Sequence, residues 1–182
     1  FAAVREEARS WVPEEQIGEY LAQVAASRFA RDRDQGRRLL GPGSRAALAG
    51  LVLEDAELLR LAARYGMALA ATETWDTGFR TDFPLGTFDH RSFAPANAVE
   101  EAATILDLAG GYMTGAGRYA LLRRIAEDGL GQMNYITWRA EGIHKNNQLA
   151  AFSSGRILGY AVVEQSMPRA APYSDLAFDD LA

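Results

Sequence analysis

The sequence predicts an α+β fold, in which a helical N-terminal part precedes a mixed β-sheet with a β-α-β-α-β C-terminal half. Three observations support this prediction. Residues 1–71 carry apolar residues at helical spacing. Residues 72–95 interleave aromatic residues with glycine and proline, whereas residues 96–167 alternate apolar runs with glycine-rich or polar turns. A chain of 182 residues suits a single domain, 1–182, in which residues 168–182 form a tail.

The composition is that of a soluble globular protein, with 48% hydrophobic and 24% charged residues. A net charge of −5 gives no general attraction to nucleic acid or to anionic membranes, so neither is predicted as a partner. The chain has no cysteine, which excludes disulfides and thiolate catalysis. Because it has only two histidines, a multi-histidine centre is also excluded, and no metal is predicted.

The sequence indicates a cytoplasmic location by default. No apolar run approaches the length of a membrane span, and no charged-apolar-small leader is visible. The chain begins with Phe1 rather than Met, which indicates a trimmed sequence and leaves a removed leader or further domain open.

The helical front contains its own start and stop signals. Pro13, followed by acidic residues, is typical of a helix start, and Gly41-Pro42-Gly43 predicts a loop. Ser44 is predicted to cap the following helix. We expect that helix to break near Gly50 or Gly66.

The aromatic segment, residues 72–95, predicts a loop or a pair of short strands around Pro84-Leu85-Gly86. Loops of this length often carry function. The alternative is a cover over the core, in which the aromatic side chains bury large areas.

The C-terminal half is predicted as a regular alternation of elements. Its apolar runs favour strands where β-branched and aromatic residues are frequent. The predicted order is strand, glycine-rich turn, helix, strand, short helix and strand, at residues 102–109, 110–117, 118–129, 133–140, 148–152 and 156–164.

The glycine-rich turn at residues 110–117 is the leading candidate for a binding site. A strand, a glycine turn and a helix start in that order let backbone N–H groups converge on a phosphate or carboxylate at the positive end of the helix dipole. The alternative is a tight turn with a satisfied helix start, in which Thr114 acts as a turn or cap residue.

The order of motifs in residues 102–165 resembles the GCN5-related N-acetyltransferases. The matching motifs are Gly115-Ala-Gly-Arg-Tyr-Ala-Leu-Leu122, Tyr135-Ile-Thr-Trp-Arg-Ala-Glu141, Asn147-Gln-Leu-Ala-Ala-Phe152 and Leu158-Gly-Tyr-Ala-Val-Val163. The resemblance implies an N-acyltransferase that moves an acetyl or other acyl group from acyl-CoA to a small-molecule or protein amine by direct attack. Acetyl-CoA or another acyl-CoA is then the co-substrate.

The resemblance also implies where the co-substrate would bind. Backbone N–H groups around Thr114 to Arg118 would hold the pyrophosphate, and a strand ending near Ala109 would orient the thioester. The predicted binding residues are Leu108, Thr114, Gly115, Ala116, Gly117, Arg118 and Asn147. The base that accepts the proton of the amine is not identified; the candidates are Glu73, Asp76, Asp82 and Asp89.

Other polar motifs receive structural interpretations. Ser153-Ser154-Gly155 lacks the nucleophile-elbow pattern and is interpreted as a turn or helix cap. Tyr160 is interpreted as a core residue. His90 and His144 are interpreted as loop histidines beside charged neighbours.

A second functional class stays open beside the enzyme. The helical front and the missing acceptor signature favour a non-catalytic ligand-binding or assembly subunit, in which the glycine turn is structural; a homodimer is possible. One feature separates the two classes. A strand at residues 102–109 supports the enzyme, whereas a continuous helix from Ala96 to Ala109 leaves the pyrophosphate loop without a strand behind it.

Overall fold

The described part of the chain is helical apart from one hairpin. A computed structural model describes residues 2–10, 42–71, 75, 79–83, 86–90, 93–131, 133–134 and 147–180. The prediction of an α+β fold with a mixed β-sheet is wrong, because the segments that were to form the sheet are helices wherever they are described.

Three helices form the described N-terminal part: α1 (Ala2–Ser10), α2 (Pro42–Leu53) and α3 (Ala56–Ala71). The predicted break in the helix occurs at Glu54 rather than at Gly50 or Gly66. Glu54 has a φ of 57°, in the left-handed region that ends a helix. The carboxylate of Asp55 then caps α3 by accepting the backbone N–H of Glu57 at 2.9 Å.

The start of α2 also differs from the prediction. Pro42 is its first residue, where a missing N–H costs nothing, so Gly43 and Ser44 lie inside the helix. Ser44 is therefore not the N-cap of α2 that the sequence predicts. Instead, the buried carboxylate of Glu101 accepts the Ser44 N–H at 3.0 Å and the Ser44 hydroxyl at 2.7 Å. A carboxylate at a helix N-terminus is stabilised by the helix dipole, so this contact fixes α2 in the fold.

The prediction for the aromatic segment is a loop or a pair of short strands, and the structure contains two strands. Strands β1 (Phe79–Phe83) and β2 (Gly86–His90) pair antiparallel, and Phe83 lies opposite Gly86 across the turn. Trp75, between α3 and this hairpin, is 1% exposed and donates its indole N–H to the carbonyl of Leu69 at 3.0 Å.

The central element is a helix, α4 (Phe93–Ala109), where the sequence predicts a strand at residues 102–109. It contacts α2 and α3 and, later in the chain, the helical segments at residues 110–112, 115–124, 125–130 and 147–166. The less buried polar residues of this helix, Asn97, Glu100, Thr104 and Asp107, recur at intervals of three or four, which is the period of a helix. Residues 102–109 taken alone contain only two polar residues, so this short apolar run resembles a buried strand. The buried apolar residues of α4 are Ala96, Ala98, Val99, Ala102, Ala103, Ile105, Leu106 and Ala109.

The helix predicted after the glycine turn is present. It comprises α5 (Gly115–Arg124), followed by a π-helical segment at Ile125–Leu130, and thus continues just past its predicted end at 128–129. Within the wider turns of the π-helical segment, Gly129 contacts Val99 of α4. The strand predicted at 133–140 begins with two helical residues, Met133 and Asn134, and its remainder lies outside the described residues.

The last predicted strand, residues 156–164, is also wrong. It lies within a long helix, α6 (Asn147–Ser166), which includes the predicted short helix at 148–152. The β-branched and aromatic residues Tyr160, Val162 and Val163 give this segment strand-like propensity. Close packing against α4 overrides that propensity. Gly155 lies so near α4 that a Cβ at this position would be 2.5 Å from the carbonyl oxygen of Ala96.

The segment predicted as a tail is folded over most of its length. A 3₁₀ turn at Pro168–Ala170 leads into α7 (Ala171–Asp179), which packs on α6. The buried side chains of α7 are small: Ser174 is 5% exposed and Ala177 is 1% exposed.

Candidate functional site

The glycine turn forms a capped helix start. A 3₁₀ turn, Gly110–Tyr112, closes with a hydrogen bond from the Met113 N–H to the Gly110 carbonyl at 3.1 Å. Thr114 is the N-cap of α5, and its hydroxyl oxygen accepts the backbone N–H of Gly117 at 3.1 Å. This geometry confirms the interpretation of Thr114 as a cap and satisfies one of the N–H groups that an unaided helix start leaves unpaired.

The structure brings most of the predicted acyl-CoA residues together at this turn. Thr114, Gly115, Ala116 and Arg118 are exposed, whereas Gly117 is buried. A Cβ at Gly117 would lie 2.8 Å from the sulfur of Met67. Glycine at this position therefore allows α5 to pack on α3.

Two of the predicted binding residues lie on other helices. Leu108 is on α4, partly buried and packed against the core, so the strand that was to orient a thioester is absent from this position. Asn147 is the first residue of α6, and its side chain lies outside what the structure describes.

The four candidate bases all come from the aromatic segment. Glu73 and Asp76 lie outside the described residues. Asp82 is on β1 and Asp89 is on β2, where Asp89 lies opposite Arg80. The side chains at these strand positions lie outside what the structure describes, so the assignment of a base stays a prediction.

An arginine and a tyrosine border the glycine turn. The guanidinium of Arg60 lies 5.7 Å from the ring centroid of Tyr112, a cation–π distance. Tyr112 is 44% exposed and Tyr119, on α5, is 59% exposed. Arg60 also pairs with Glu57 on its own helix, so its charge is partly balanced within α3.

A second polar region, which the sequence did not predict, lies between α6 and α7. We call it the α6–α7 cluster and define it by Asn134, Arg156, Tyr160, Tyr173 and Asp180. Arg156 is 1% exposed, and its Nη1 donates to Oδ2 of Asp180 at 2.7 Å. The side-chain amide of Asn134 donates to the hydroxyl of Tyr160.

Two buried polar atoms in the α6–α7 cluster have no hydrogen-bond partner: Nε of Arg156 and Oδ1 of Asn134. An unpaired buried polar atom costs about 1–3 kcal/mol, and such atoms are rare in native proteins. Sites that bind a ligand are one setting in which a protein keeps them.

Tyr160 connects the two halves of the cluster. Its ring stacks on that of Tyr173, with centroids 6.5 Å apart and planes inclined by 11°. Burial raises the pKa of the Tyr160 hydroxyl, and the hydrogen bond from Asn134 and the charge of Arg156 partly oppose this rise. The interpretation of Tyr160 as a core residue is confirmed, since it is 5% exposed.

The sequence did contain a signal for the cluster. Arg156 and Tyr160 are four residues apart, and this spacing places them on one face of a helix. In a strand, Arg156 and Tyr160 also lie on one face, so their spacing does not distinguish a helix from a strand. The spacing also does not indicate the contact with α7. Ser153, interpreted as a turn or cap, lies inside α6, where its hydroxyl donates to the carbonyl of Leu149.

The third feature is the surface of α7. Three large apolar side chains of α7 are about half exposed: Tyr173 is 48% exposed, Leu176 is 47% exposed and Phe178 is 54% exposed. Tyr173 and Leu176 are three residues apart and lie side by side on the helix, whereas Phe178 lies on another side. We call Tyr173 and Leu176 the α7 surface. Asp175 and Asp179 are exposed on the same helix.

Two further observations concern the described residues alone. Histidine, aspartate and glutamate side chains in this part of the chain form no group of three or more that could hold a metal ion. None of the helices described is both long enough and apolar enough to cross a membrane.

Comparisons with protein-family models, curated proteins and solved structures found no match to this chain.

Proposed function

We propose that this chain is a helical binding domain that docks a protein partner on the α7 surface. The observation that carries the proposal is the pattern of burial on α7, where the small residues Ser174 and Ala177 are buried while Tyr173 and Leu176 are about half exposed. A helix that only covers a domain turns its large apolar side chains inward. Large apolar side chains held in water are typical of an interaction surface.

The charges on α7 itself favour a partner with basic residues, and Arg169, in the turn before the helix, is the exposed cation next to it in the chain. Asp175 and Asp179 are exposed on α7, and α7 itself contains no lysine or arginine. A second copy docked by a twofold axis would bring these carboxylates together, and like charges at an interface are unfavourable. The partner that fits is an amphipathic segment whose apolar face is flanked by lysine or arginine.

The size of the α7 surface limits the expected affinity. Full burial of a large apolar side chain contributes about 1.5–3 kcal/mol, so a half-exposed one has roughly 1 kcal/mol left to gain. Association consumes part of this gain through lost translational and rotational freedom. We therefore expect a weak or transient contact unless other surfaces join it.

The acyltransferase hypothesis receives less support from the fold. The glycine turn follows a helix, α4, where acyl-CoA binding by the implied arrangement requires a strand. The turn also has a sufficient structural explanation in the Thr114 cap and the Gly117–Met67 packing. Binding through the α7 surface needs neither feature.

The test uses a fluorescent amphipathic peptide of leucine and lysine and a matched peptide of leucine and glutamate. We expect the lysine peptide to bind, more weakly at high salt, and the glutamate peptide to bind far less. Leu176→Glu should reduce the affinity about tenfold or more, since one buried anchor is worth about 1.4 kcal/mol or more.

The control is Leu51→Glu on α2, because Leu51 is 53% exposed and the change in charge is the same. Equal effects of Leu51→Glu and Leu176→Glu would overturn the proposed surface. Equal binding of both peptides would overturn the partner chemistry. A dimer in sedimentation that Leu176→Glu dissociates would also overturn it, because the occupant would then be a second copy of the chain.

A further inference from the structure

The 3₁₀ turn at Gly110–Tyr112 is bordered by two arginine side chains that come from different helices. At one end of the turn, the guanidinium of Arg60, on α3, lies 5.7 Å from the ring centroid of Tyr112. At the other end, a Cβ at Gly110 would lie 3.6 Å from Nε of Arg118, on α5. The fold therefore brings two cations to one turn of three residues.

The middle residue of this turn, Gly111, leaves the surface open. Gly111 is exposed, and a Cβ at this position would meet nothing within 4 Å. None of the described glycines has a positive φ, so a residue with a side chain also fits the backbone at Gly111. The turn therefore offers an open position bordered by two cations.

The positive charge at the turn is only partly balanced. Arg118 is exposed, and its guanidinium forms no ion pair within the part of the chain that the structure describes. The same is true of Arg64, which lies one helical turn after Arg60 on α3. Arg60 pairs with Glu57, and Asp107, near the end of α4, is the exposed carboxylate closest to the turn in the chain. Three cations and two carboxylates leave a positive excess, which favours an anionic ligand.

We propose that the turn at Gly110–Tyr112 docks a phosphorylated segment of a partner protein, with the phosphate over Gly111 and between Arg60 and Arg118. Arginine presents a planar fork of N–H donors, and a carboxylate fills one such fork with its two oxygens. A phosphate monoester has three terminal oxygens and nearly two negative charges, so it can accept hydrogen bonds from two guanidinium groups at once. Two arginines from different helices at one open position suit the phosphate.

The exposure of this turn favours a protein segment over a small molecule or a nucleic acid. Tyr112 is 44% exposed, and the side chain of Arg60 is 55% exposed. Small ligands are usually bound in concave pockets that enclose them. A long polyanion would extend beyond the turn onto a chain whose net charge is −5. A phosphorylated segment presents one phosphate, and its neighbouring side chains can pack on the exposed ring of Tyr112.

The test is an NMR titration with a short peptide of glycine, alanine and tyrosine that has one phosphoserine at its centre. The amide resonances of Gly111 and Arg118 should shift saturably. The affinity should exceed that of the same peptide with serine by about tenfold or more, because only the phosphate forms charge-assisted hydrogen bonds. High salt should weaken the binding. Equal affinities of the two peptides would overturn the proposal.

Two pairs of variants locate the phosphate. Gly111→Glu places a carboxylate beside the arginines and should abolish binding, whereas Gly111→Ala should keep the affinity within about twofold. Arg118→Gln should weaken binding about tenfold. Arg123→Gln removes a cation of the same helix that is already paired with Glu127, so it should have little effect. Equal affinities within either pair of variants would overturn the site.

Two further ligands separate a phosphorylated segment from other sources of phosphate. Inorganic phosphate should bind more weakly than the phosphoserine peptide, because it makes no contact with Tyr112. A single-stranded oligonucleotide of the same length should also bind more weakly. If either ligand bound as tightly as the peptide, the protein partner would be overturned. Leu176→Glu should leave the binding unchanged, and a loss of binding in this variant would place the peptide on the α7 surface instead.

Discussion

The glycines of the glycine turn and those of α6 contribute to the fold in different ways. In the glycine turn, a Cβ at Gly111 or Gly115 would meet nothing within 4 Å, and one at Gly117 would lie 2.8 Å from the sulfur of Met67, at the end of a flexible side chain. By contrast, a Cβ at Gly155 would meet the backbone of Ala96, and one at Gly159 would lie 2.6 Å from Val99. A glycine-rich sequence therefore does not by itself indicate a binding site. In this chain, two of the glycines that close packing requires lie where α6 crosses α4.

Backbone conformation supports the same comparison. Among the described residues no glycine has a positive φ, so none of them is required there for left-handed geometry. What distinguishes Gly155 is close packing, and what distinguishes the glycine turn is the Thr114 cap. Four predictions test these assignments.

The largest expected effect is that of Gly155→Ala. A helix interior favours alanine over glycine, yet the added methyl group would press on the carbonyl of Ala96, which cannot move as a side chain does. We expect a loss of about 2 kcal/mol in the free energy of unfolding, measured by urea denaturation. Gly115→Ala is the matched control and should be neutral or slightly stabilising. A smaller loss for Gly155→Ala than for Gly115→Ala would reverse the comparison.

The next effect concerns the cap of the glycine turn. Thr114→Ala removes the acceptor of the Gly117 N–H and should cost about 1 kcal/mol in thermal or urea unfolding. Thr114→Ser keeps the hydroxyl oxygen and should retain most of the stability. If both variants unfolded like the wild type, the turn would not depend on its cap.

A smaller effect is expected beside Gly155, at the carboxylate of Glu100. Burial raises the pKa of Glu100, although the hydrogen bond from Ser154 partly opposes this. The raised pKa in the folded state means that this carboxyl group stabilises the fold most below its unfolded pKa, and loses that contribution as the pH rises through the folded pKa.

Glu100→Gln should therefore stabilise the protein at pH 7, by about 0.5 kcal/mol or less, and the gain should disappear at pH 3. The measurement is thermal unfolding of both proteins across this pH range. Glu127→Gln, at an exposed carboxylate paired with Arg123, should give no gain at pH 7. A gain that grew toward low pH would contradict the sign of the shift.

The smallest expected effect is that of acyl-CoA. If the glycine turn is structural, the thermal midpoint should not change with acetyl-CoA, CoA or ATP, apart from effects that all three share. A rise with acetyl-CoA and CoA but not with ATP, abolished by Gly115→Glu, would restore the acyltransferase hypothesis and break the comparison of the two glycine groups.

Local patterns predicted the elements whose physical causes are local. Along the described part of residues 1–71, helices follow the helical spacing of apolar residues, since α3 has a buried and an exposed side. The hairpin follows the turn signal at Pro84-Leu85-Gly86. Thr114 caps α5 through a bond that spans three residues. Each of these features depends on a few neighbouring residues, so the sequence alone determined it.

Tertiary structure decided what short windows of the sequence left open in the core and in the α6–α7 cluster. In α4 the polar residues follow a helical period over the whole element, but residues 102–109 alone are too short and too apolar to separate a helix from a buried strand. In α6, strand-like residues are helical because Gly155 and Gly159 let it approach α4. The pairing of Arg156 with Asp180 joins two elements through a packing contact that no spacing in the sequence encodes.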